Sequence, residues 1–222
     1  MVRFFLKPLS VRQMRLLCAS LLVGFALCGA LQGLCWGRTQ LDAGAALCAD
    51  TLRLHIRAAS DAVADQSAKL RVRDAVLAEA EELFVPGAGR AETEELLRAH
   101  LYDLAAAGAE VVGEAGYSYP VTASLVHDYW FPPKTYTDFA LPAGAYTALR
   151  IEIGAGGGQN WWCVVFPPLC LGSVSETTQE TALEAGLTEN QVSLMTGEDE
   201  GYVVKFKAVE LLEQFKGWLE GR

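Results

Sequence analysis

The side chains able to do acid–base or nucleophilic chemistry are few and scattered. The chain has three histidines, His55, His100 and His127, and 6 cysteines. His127, followed by an aspartate, could combine with Cys163 as a Cys-His-Asp nucleophile, but no basic residue near Cys163 in the sequence would favour its thiolate. We interpret His55, which lies between two arginines in a strand, as part of a hydrogen-bonded network, and His100 as a residue of a helix surface.

Other chemical patterns are weaker. Asp61, Asp65 and Asp74 have a helical spacing that could pair carboxylates, but a solvated helix start explains them better. The body cysteines lack the nearby histidine pair that would complete four zinc ligands. The segment GAGGGQN at 154–160 lacks the Gly-Lys-Ser/Thr ending of a phosphate-binding loop. We therefore expect no metal and no cofactor.

Charge is distributed unevenly along the chain. The 222 residues carry a net charge of −9. The first fifteen residues contain four basic residues and no acid, so the remainder has 14 basic against 27 acidic residues, or −13. A body this acidic repels phosphate backbones, which argues against nucleic-acid binding.

Residues 1–36 are interpreted as a signal peptide or a membrane anchor. An uncharged run at 16–37 follows the basic segment, and it is long enough to span a bilayer core of roughly 30 Å. Small residues at Gly29 and Ala30 are compatible with cleavage. Without cleavage, residues 16–36 would contact the membrane. Basic residues before the apolar run predict that the body lies outside.

The periodicities of the remaining chain predict an α+β domain. Alternation over 50–58 indicates a strand with one buried face, and apolar residues at steps of three and four indicate a helix over 60–84. A second helix is predicted from a cap at Thr93 to a stop at Gly108, followed by a strand over 117–126. We expect a mainly antiparallel sheet with two or three helices packed on one face, preceded by the N-terminal export or anchor helix.

The densest pattern lies at residues 142–170. Two strands, 146–153 and 161–166, flank the glycine segment 154–160, which can reverse the chain or lie close to another backbone. We predict a hairpin with a glycine tip. The second strand is apolar on both faces, which indicates a central or covered position, and two prolines end it.

Cysteines and aromatic residues add two hypotheses in the same region. In an oxidising exterior Cys163 and Cys170 could form a structural disulfide; two buried free thiols are the alternative. Trp161 and Trp162 place one indole on each face of the strand, so one should be core and the other must find cover or a partner. The aromatic and proline-rich loop 127–136 is either a packed lid or a contact surface.

Composition changes after Cys170. We divide the chain into the N-terminal segment 1–36, an α+β domain at 45–171, and a variable part at 172–222. Within the last part we expect a loose or partly helical linker, a short strand at 202–206 and an amphipathic C-terminal helix.

A set of short motifs at roughly 50–170 is specific enough to compare with known families. The motifs are Leu52-Arg53-Leu54-His55-Ile56, Ser60-Asp61, Asp65-Gln66, the run from Lys69 to Leu77, Phe131-Pro132, Lys134, Tyr136, Pro142-Ala143-Gly144, Tyr146, Ile153-Gly154, Gly158, and the run from Asn160 to Cys170. Through these residues the chain resembles the stage II sporulation protein R family of endospore-forming bacteria. Ala59 departs from the pattern, since the family usually has Asn there.

The resemblance implies a secreted signalling protein and not an enzyme. Such proteins are made in the forespore and exported into the space between the forespore and mother-cell membranes. There they trigger a membrane-embedded aspartic protease that removes the pro-sequence of sigma factor E. An aromatic surface would contact the extracytoplasmic part of that protease. Its expected residues are Trp130, Phe131, Asn160, Trp161, Trp162 and Phe166.

Two other classes of protein remain open at this point. One is an extracytoplasmic hydrolase acting on the cell wall or on peptides, with His55, His127 and Cys163 as its chemical groups. The other is a purely structural exported domain.

Overall fold

The computed structural model describes residues 10–85, 87–170 and 178–197. Contacts divide the chain into two compact units, one ending at Asp42 and the other beginning at Ala43. Helix α1 (Val11–Asp50) contributes to both. By length and composition α1 could cross a membrane, because its most apolar 18-residue window has a mean hydropathy of 2.0 and is 0% buried. The predicted N-terminal apolar helix is therefore confirmed; its cleavage or retention stays a prediction.

The second unit is α+β, as predicted. After α1 the elements are β1 (Leu52–Arg57), α2 (Val63–Glu82), α3 (Arg90–Ala99), α4 (Leu101–Glu114), β2 (Val121–Phe131), β3 (Lys134–Thr135), β4 (Ala140–Leu141), β5 (Gly144–Ile153), β6 (Asn160–Phe166), α5 (Thr178–Glu184) and α6 (Glu189–Thr196). The main sheet has four strands in the order β2-β5-β1-β6, and β3 pairs with β4. The main sheet is mixed, since β1 runs parallel to β5 while β1–β6 and β2–β5 are antiparallel.

The main core lies between the sheet and helices α2, α3 and α4. Strand β1 alternates, so Leu54 and Ile56 point toward these helices, where both are fully buried. Val72 and Val76, four residues apart on one face of α2, meet them. Burying one such side chain stabilises the fold by about 1.5–3 kcal/mol.

The second predicted helix is in fact two helices. They meet at His100, the C-cap of α3 and the N-cap of α4. Thr93 is not the N-cap; Gly89 is, and the Thr93 hydroxyl donates to its carbonyl. The predicted stop at Gly108 was also wrong. This glycine lies inside α4, where a Cβ would sit 3.0 Å from a methyl of Val121 and 3.1 Å from one of Val72. It allows α4 to approach the sheet and α2 closely.

The predicted glycine hairpin was wrong, because β1 lies between β5 and β6. The glycine segment crosses the end of β1, where the amide of Gly157 donates to Ala59 O (3.2 Å) and that of Gly158 to Ala58 O (2.9 Å). A Cβ on Gly158 would overlap the Ser60 carbonyl. The glycines therefore serve close backbone approach, and β6 is a covered edge strand.

Side chains at the start of α2 hold this crossing in place. Asp61 accepts a hydrogen bond from the Gln159 amide (2.8 Å), and Lys69 Nζ donates to the Gln159 carbonyl (3.1 Å) and to Gln66 (2.6 Å). Lys69 is buried, and desolvation lowers its pKa. Asp65 is buried as well and accepts from Ser60. Asp61 and Asp65, which the sequence suggested as part of a solvated helix start, therefore form hydrogen bonds within the fold.

Helices α5 and α6 pack in a second cluster with Leu47 of α1, Leu141 of β4 and Val164 of β6. Thr188 and Gln191 form a capping box at the start of α6. Of the part after Cys170, residues 178–197 are therefore largely helical and packed. The predicted strand at 202–206 and the C-terminal helix lie outside the described residues.

Gly158→Ala should destabilise the fold, because the added methyl group collides with backbone rather than with a movable side chain. We expect the free energy of unfolding to fall by about 1–3 kcal/mol or more. Gly113→Ala is the control, since it lies in α4 with nothing within 4 Å of a Cβ. Ala there should raise stability by up to about 1 kcal/mol. Urea unfolding monitored by circular dichroism measures both, and equal stability of the two variants would contradict the crossing geometry.

Candidate functional site: an arginine and aromatic face of the sheet

The side of the main sheet that faces away from α2 and α4 is built from cations and aromatic rings. We call it the arginine–aromatic face. The strand registers place its residues in three rows across β2, β5, β1 and β6. Side chains directly opposite on neighbouring strands point to the same face. The rows are Val126, Ala148, Arg53 and Val164; Ser124, Arg150, His55 and Trp162; and Thr122, Glu152, Arg57 and Asn160.

A β-bulge adds two aromatic rings to this face. Between the paired positions Val126 and Tyr129 of β2, two residues oppose the single residue Thr147 of β5, and one of them, Asp128, has a φ of 53°. An extra residue reverses the alternation beyond it. Tyr129 and Phe131 therefore point to the arginine–aromatic face, whereas unbroken alternation would have sent them to the helix side.

Arg53 is the deepest group, and its side chain is fully buried. Its Nε donates to Cys163 O (3.0 Å) and one terminal nitrogen donates to the Tyr136 hydroxyl (2.9 Å). The guanidinium lies 4.4 Å from the centre of the Phe131 ring and 5.0 Å from that of Tyr146. Within the described ranges no carboxylate forms an ion pair with it. Aromatic rings and neutral oxygens take the place of a counter-ion.

His55 is also fully buried. Its Nε2 lies 2.8 Å from Asn160 Oδ1, whereas Nδ1 is buried without a partner. The ring packs 5.0 Å from Tyr129 and 6.3 Å from Trp162, measured between ring centres. Burial lowers the pKa of His55, and the nearby Arg150 lowers it further. The neutral imidazole is therefore favoured, as expected for a residue of a hydrogen-bonded network.

The outer layer of the face is partly open to solvent. Arg57 and Arg150 share one carboxylate: Glu152 Oε1 lies 3.7 Å from a nitrogen of Arg57 and 2.6 Å from one of Arg150. The Arg150 guanidinium also lies 5.8 Å from the centre of the Tyr129 ring. The side chains of these three charged residues are 25–32% exposed, so a ligand could reach them.

The predicted partner-binding residues do not form one surface. Asn160 is exposed and Trp162 half-buried on the arginine–aromatic face, whereas Trp161 packs on the helix side, where Arg73 lies 5.2 Å above its ring. Trp130 is 53% exposed and points to the helix side. Phe131 and Phe166 are buried in the core and present no surface to a partner in this structure.

The groups of the alternative hydrolase are not brought together either. Cys163 pairs with Leu54 on the helix side of the sheet, while the neighbouring His55 points to the opposite face. His127 contacts α3 through Glu94 (3.5 Å) and β5 through Thr147 (3.2 Å). The structure therefore separates the nucleophile from both candidate bases.

Cys163 and Cys170 are bonded to each other, with their Cα atoms 6.4 Å apart. The amide of Val164 also lies 3.3 Å from Cys170 Sγ. The bond links β6 to the turn that follows it. Cys48, at the end of α1, is buried and free, and burial raises the pKa of its thiol.

The sequence-based interpretation missed Arg57, Arg150 and Tyr129 as members of a site. Part of the signal was visible, because Arg53, His55 and Arg57 alternate with apolar residues in β1. This alternation predicts only one buried face, and nothing in the sequence shows that aromatic rings from β2 and β6 cover the polar row.

The comparisons with known proteins concern this same region. The family model described as stage II sporulation protein R matches residues 48–176. The chain belongs to this family. The match contains all three rows of the arginine–aromatic face, so the face lies within the part that defines membership.

A curated member of the family is similar to this chain. Stage II sporulation protein R of Bacillus subtilis (strain 168) is 36% identical over 119 residues, which cover 54% of this chain and 53% of the relative. The match thus spans about half of the length of each. No solved structure matches the chain.

Reduction should weaken the fold by opening the bond between Cys163 and Cys170. Closing a loop this short stabilises a domain by about 2–3 kcal/mol in the chain-entropy account. We expect dithiothreitol to lower the free energy of unfolding of the wild type by that amount. The double variant Cys163→Ser/Cys170→Ser should be weakened to the same level and should not respond to the reductant. A wild type that is equally stable in both conditions would indicate free thiols.

Acidification should destabilise the protein through His55. Because its pKa in the folded chain is lowered from about 6.5, the unfolded chain binds the proton more readily between these two values. Stability is therefore lost as the pH falls through that window, by at most about 1.4 kcal/mol per pH unit. The facing groups are Arg57, Arg150, Glu152 and Tyr129. Urea titrations at pH values from 8 to 5 measure the free energy of unfolding. This free energy should decline less steeply for His55→Gln than for the wild type, and equal declines would exclude His55 as the cause.

Proposed function

We propose that this chain is an exported signalling protein of sporulation that activates a membrane-embedded aspartic protease, which then removes the pro-sequence of sigma factor E. Membership of the stage II sporulation protein R family over residues 48–176 carries the proposal. The apolar helix α1 supports it, because a signal that acts across an intermembrane space must be exported. The proposed site of action is the space between the forespore and mother-cell membranes.

We propose that the chain acts by docking and not by catalysis. Three of its buried reactive side chains have structural roles: His55 contacts Asn160, Lys69 holds the glycine crossing, and Cys163 is bonded to Cys170. Docking could stabilise the active conformation of the protease if the bound state is favoured over the free state. The extracytoplasmic part of the protease is the proposed partner.

Co-expression of the full chain with the protease and the sigma-factor precursor tests this function. We expect the cleavage of the precursor to increase at least tenfold when the chain is present. Immunoblotting measures this cleavage. Export is required, so replacing Leu21 and Leu22 of α1 with arginine should abolish the effect, because charges in an apolar span oppose membrane insertion. Unchanged cleavage without the chain would reject the proposed function.

Substitution of two exposed aromatic residues distinguishes the loss of a specific contact with the protease from a general effect of removing a surface ring. The same cleavage assay measures both variants. Trp130, 53% exposed at the end of β2, belongs to the expected contact surface, whereas Tyr102, 82% exposed on α4, does not. We expect Trp130→Ala to reduce cleavage severalfold and Tyr102→Ala to leave it unchanged. Equal activity of both variants would remove Trp130 from the contact surface.

A further inference from the structure

Buried polar atoms without hydrogen-bond partners are concentrated on the arginine–aromatic face. Among the described residues seven side-chain atoms are buried without a partner, and five of them belong to this face. Such atoms are uncommon in folded proteins and call for an explanation, because each lost its bonds to water on folding. The five atoms are Arg53 Nη1, His55 Nδ1, Arg57 Nε, Arg150 Nε and Trp162 Nε1.

Four of these five atoms are hydrogen-bond donors, because arginine and indole nitrogens cannot accept. The face also carries three arginines and a single carboxylate, that of Glu152. It is therefore locally cationic, although the whole chain carries −9. These donors lack hydrogen-bond acceptors, and the excess of arginines over carboxylates on this face favours an acceptor with negative charge.

The rings beside the arginines provide apolar contact for the same ligand. Tyr129 and Trp162 flank His55 and are each half-buried, so both keep an accessible edge. Tyrosine, tryptophan and arginine are the residues that most often dominate binding energy at protein interfaces. A partner segment could lie over these rings while an acidic side chain reaches the arginines.

We infer that the arginine–aromatic face binds an acidic segment of a partner protein, with an Asp or Glu carboxylate placed between Arg57 and Arg150. Arg150 already holds Glu152 at 2.6 Å, and an arginine fork can accommodate further carboxylate oxygens. An anionic membrane surface fits less well, because it would repel the whole chain of −9. This inference rests on the proposed function in one respect, that the partner is the extracytoplasmic part of the protease.

Direct binding tests the face without the protease. The full chain in detergent micelles is titrated into a fluorescent ten-residue oligoglutamate, and anisotropy is measured. We expect saturable binding that weakens at least tenfold in Arg57→Gln/Arg150→Gln. The control Arg71→Gln/Arg98→Gln removes the same charge from exposed arginines of α2 and α3 and should bind like the wild type.

A second variant leaves every arginine in place. Ser124 is exposed and lies opposite Arg150 on the same face. Ser124→Glu would supply a carboxylate from the chain itself, so we expect it to weaken oligoglutamate binding at least tenfold. Ser124→Gln has the same size without the charge and should bind like the wild type. Urea unfolding of all variants identifies any that are not folded, and Ser124→Glu decides the question if the double arginine variant unfolds.

The cleavage assay then separates this inference from the proposed function. If the wild type does not promote cleavage, the proposed function fails, whereas oligoglutamate binding can still support the face as an acidic-segment site. If the wild type promotes cleavage and Ser124→Glu does so equally, the protease does not use this face and the inference is overturned. Loss of cleavage in Ser124→Glu but not in Ser124→Gln supports it.

Other ligands give different results in the binding experiment. An equal loss of oligoglutamate binding in both double arginine variants would mean that the peptide binds by general charge attraction and not at this face. Binding to phosphatidylglycerol vesicles through Arg57 and Arg150, without oligoglutamate binding, would assign the face to a membrane. Tighter oligoglutamate binding after neutralisation of Glu198, Asp199 and Glu200 would assign it to the chain's own acidic segment. Each of these outcomes overturns the inference.

Discussion

The fold depends on the insertion of β1 between β5 and β6. The chain leaves β5 and must cross the end of β1 before it can return as β6. Only a backbone without side chains can pass this closely, and the amides of Gly157 and Gly158 donate to the carbonyls of Ala59 and Ala58, which directly follow β1. Asp61 and Lys69 then fix the crossing from the start of α2. Parallel and antiparallel pairing on the two sides of β1 follow from this arrangement.

A strand in this central position is buried on both faces, and β1 meets that condition in two different ways. Toward the helices it presents leucine and isoleucine, which need only close packing. Toward the other side it presents Arg53 and His55, which burial penalises. Phe131, Tyr146 and Tyr136 surround the Arg53 guanidinium with ring faces and a hydroxyl oxygen. Among the residues that the structure describes, no carboxylate pairs with this buried cation, and the hydrogen-bonding capacity of the face is only partly used.

This incomplete satisfaction connects the structure with the proposed function. A protein that acts by docking needs a rigid surface that is less favourable alone than in complex. The outer rows supply cations, ring edges and unpartnered donors on a four-stranded sheet, while α5 and α6 cover the neighbouring region around Val164. The candidate nucleophile lies on the opposite side of the same sheet and is bonded to Cys170.

The sequence by itself determined the apolar N-terminal helix, the buried stripe of α2 and the alternation of β1, because each depends on residues close together in the chain. The α+β class follows from these elements. The family follows from a long set of motifs. The tertiary structure alone decided the strand order, because a glycine run permits a hairpin and a crossing equally well. The hydrogen bonds to the carbonyls of Ala58 and Ala59 form only in the crossing. It also decided that Gly108 lies inside a helix, where a Cβ would be in tight contact with Val121 and Val72. The bulge opposite Thr147 likewise sent Tyr129 and Phe131 across the sheet. These outcomes depend on contacts between distant residues, and such contacts exist only once the chain has folded.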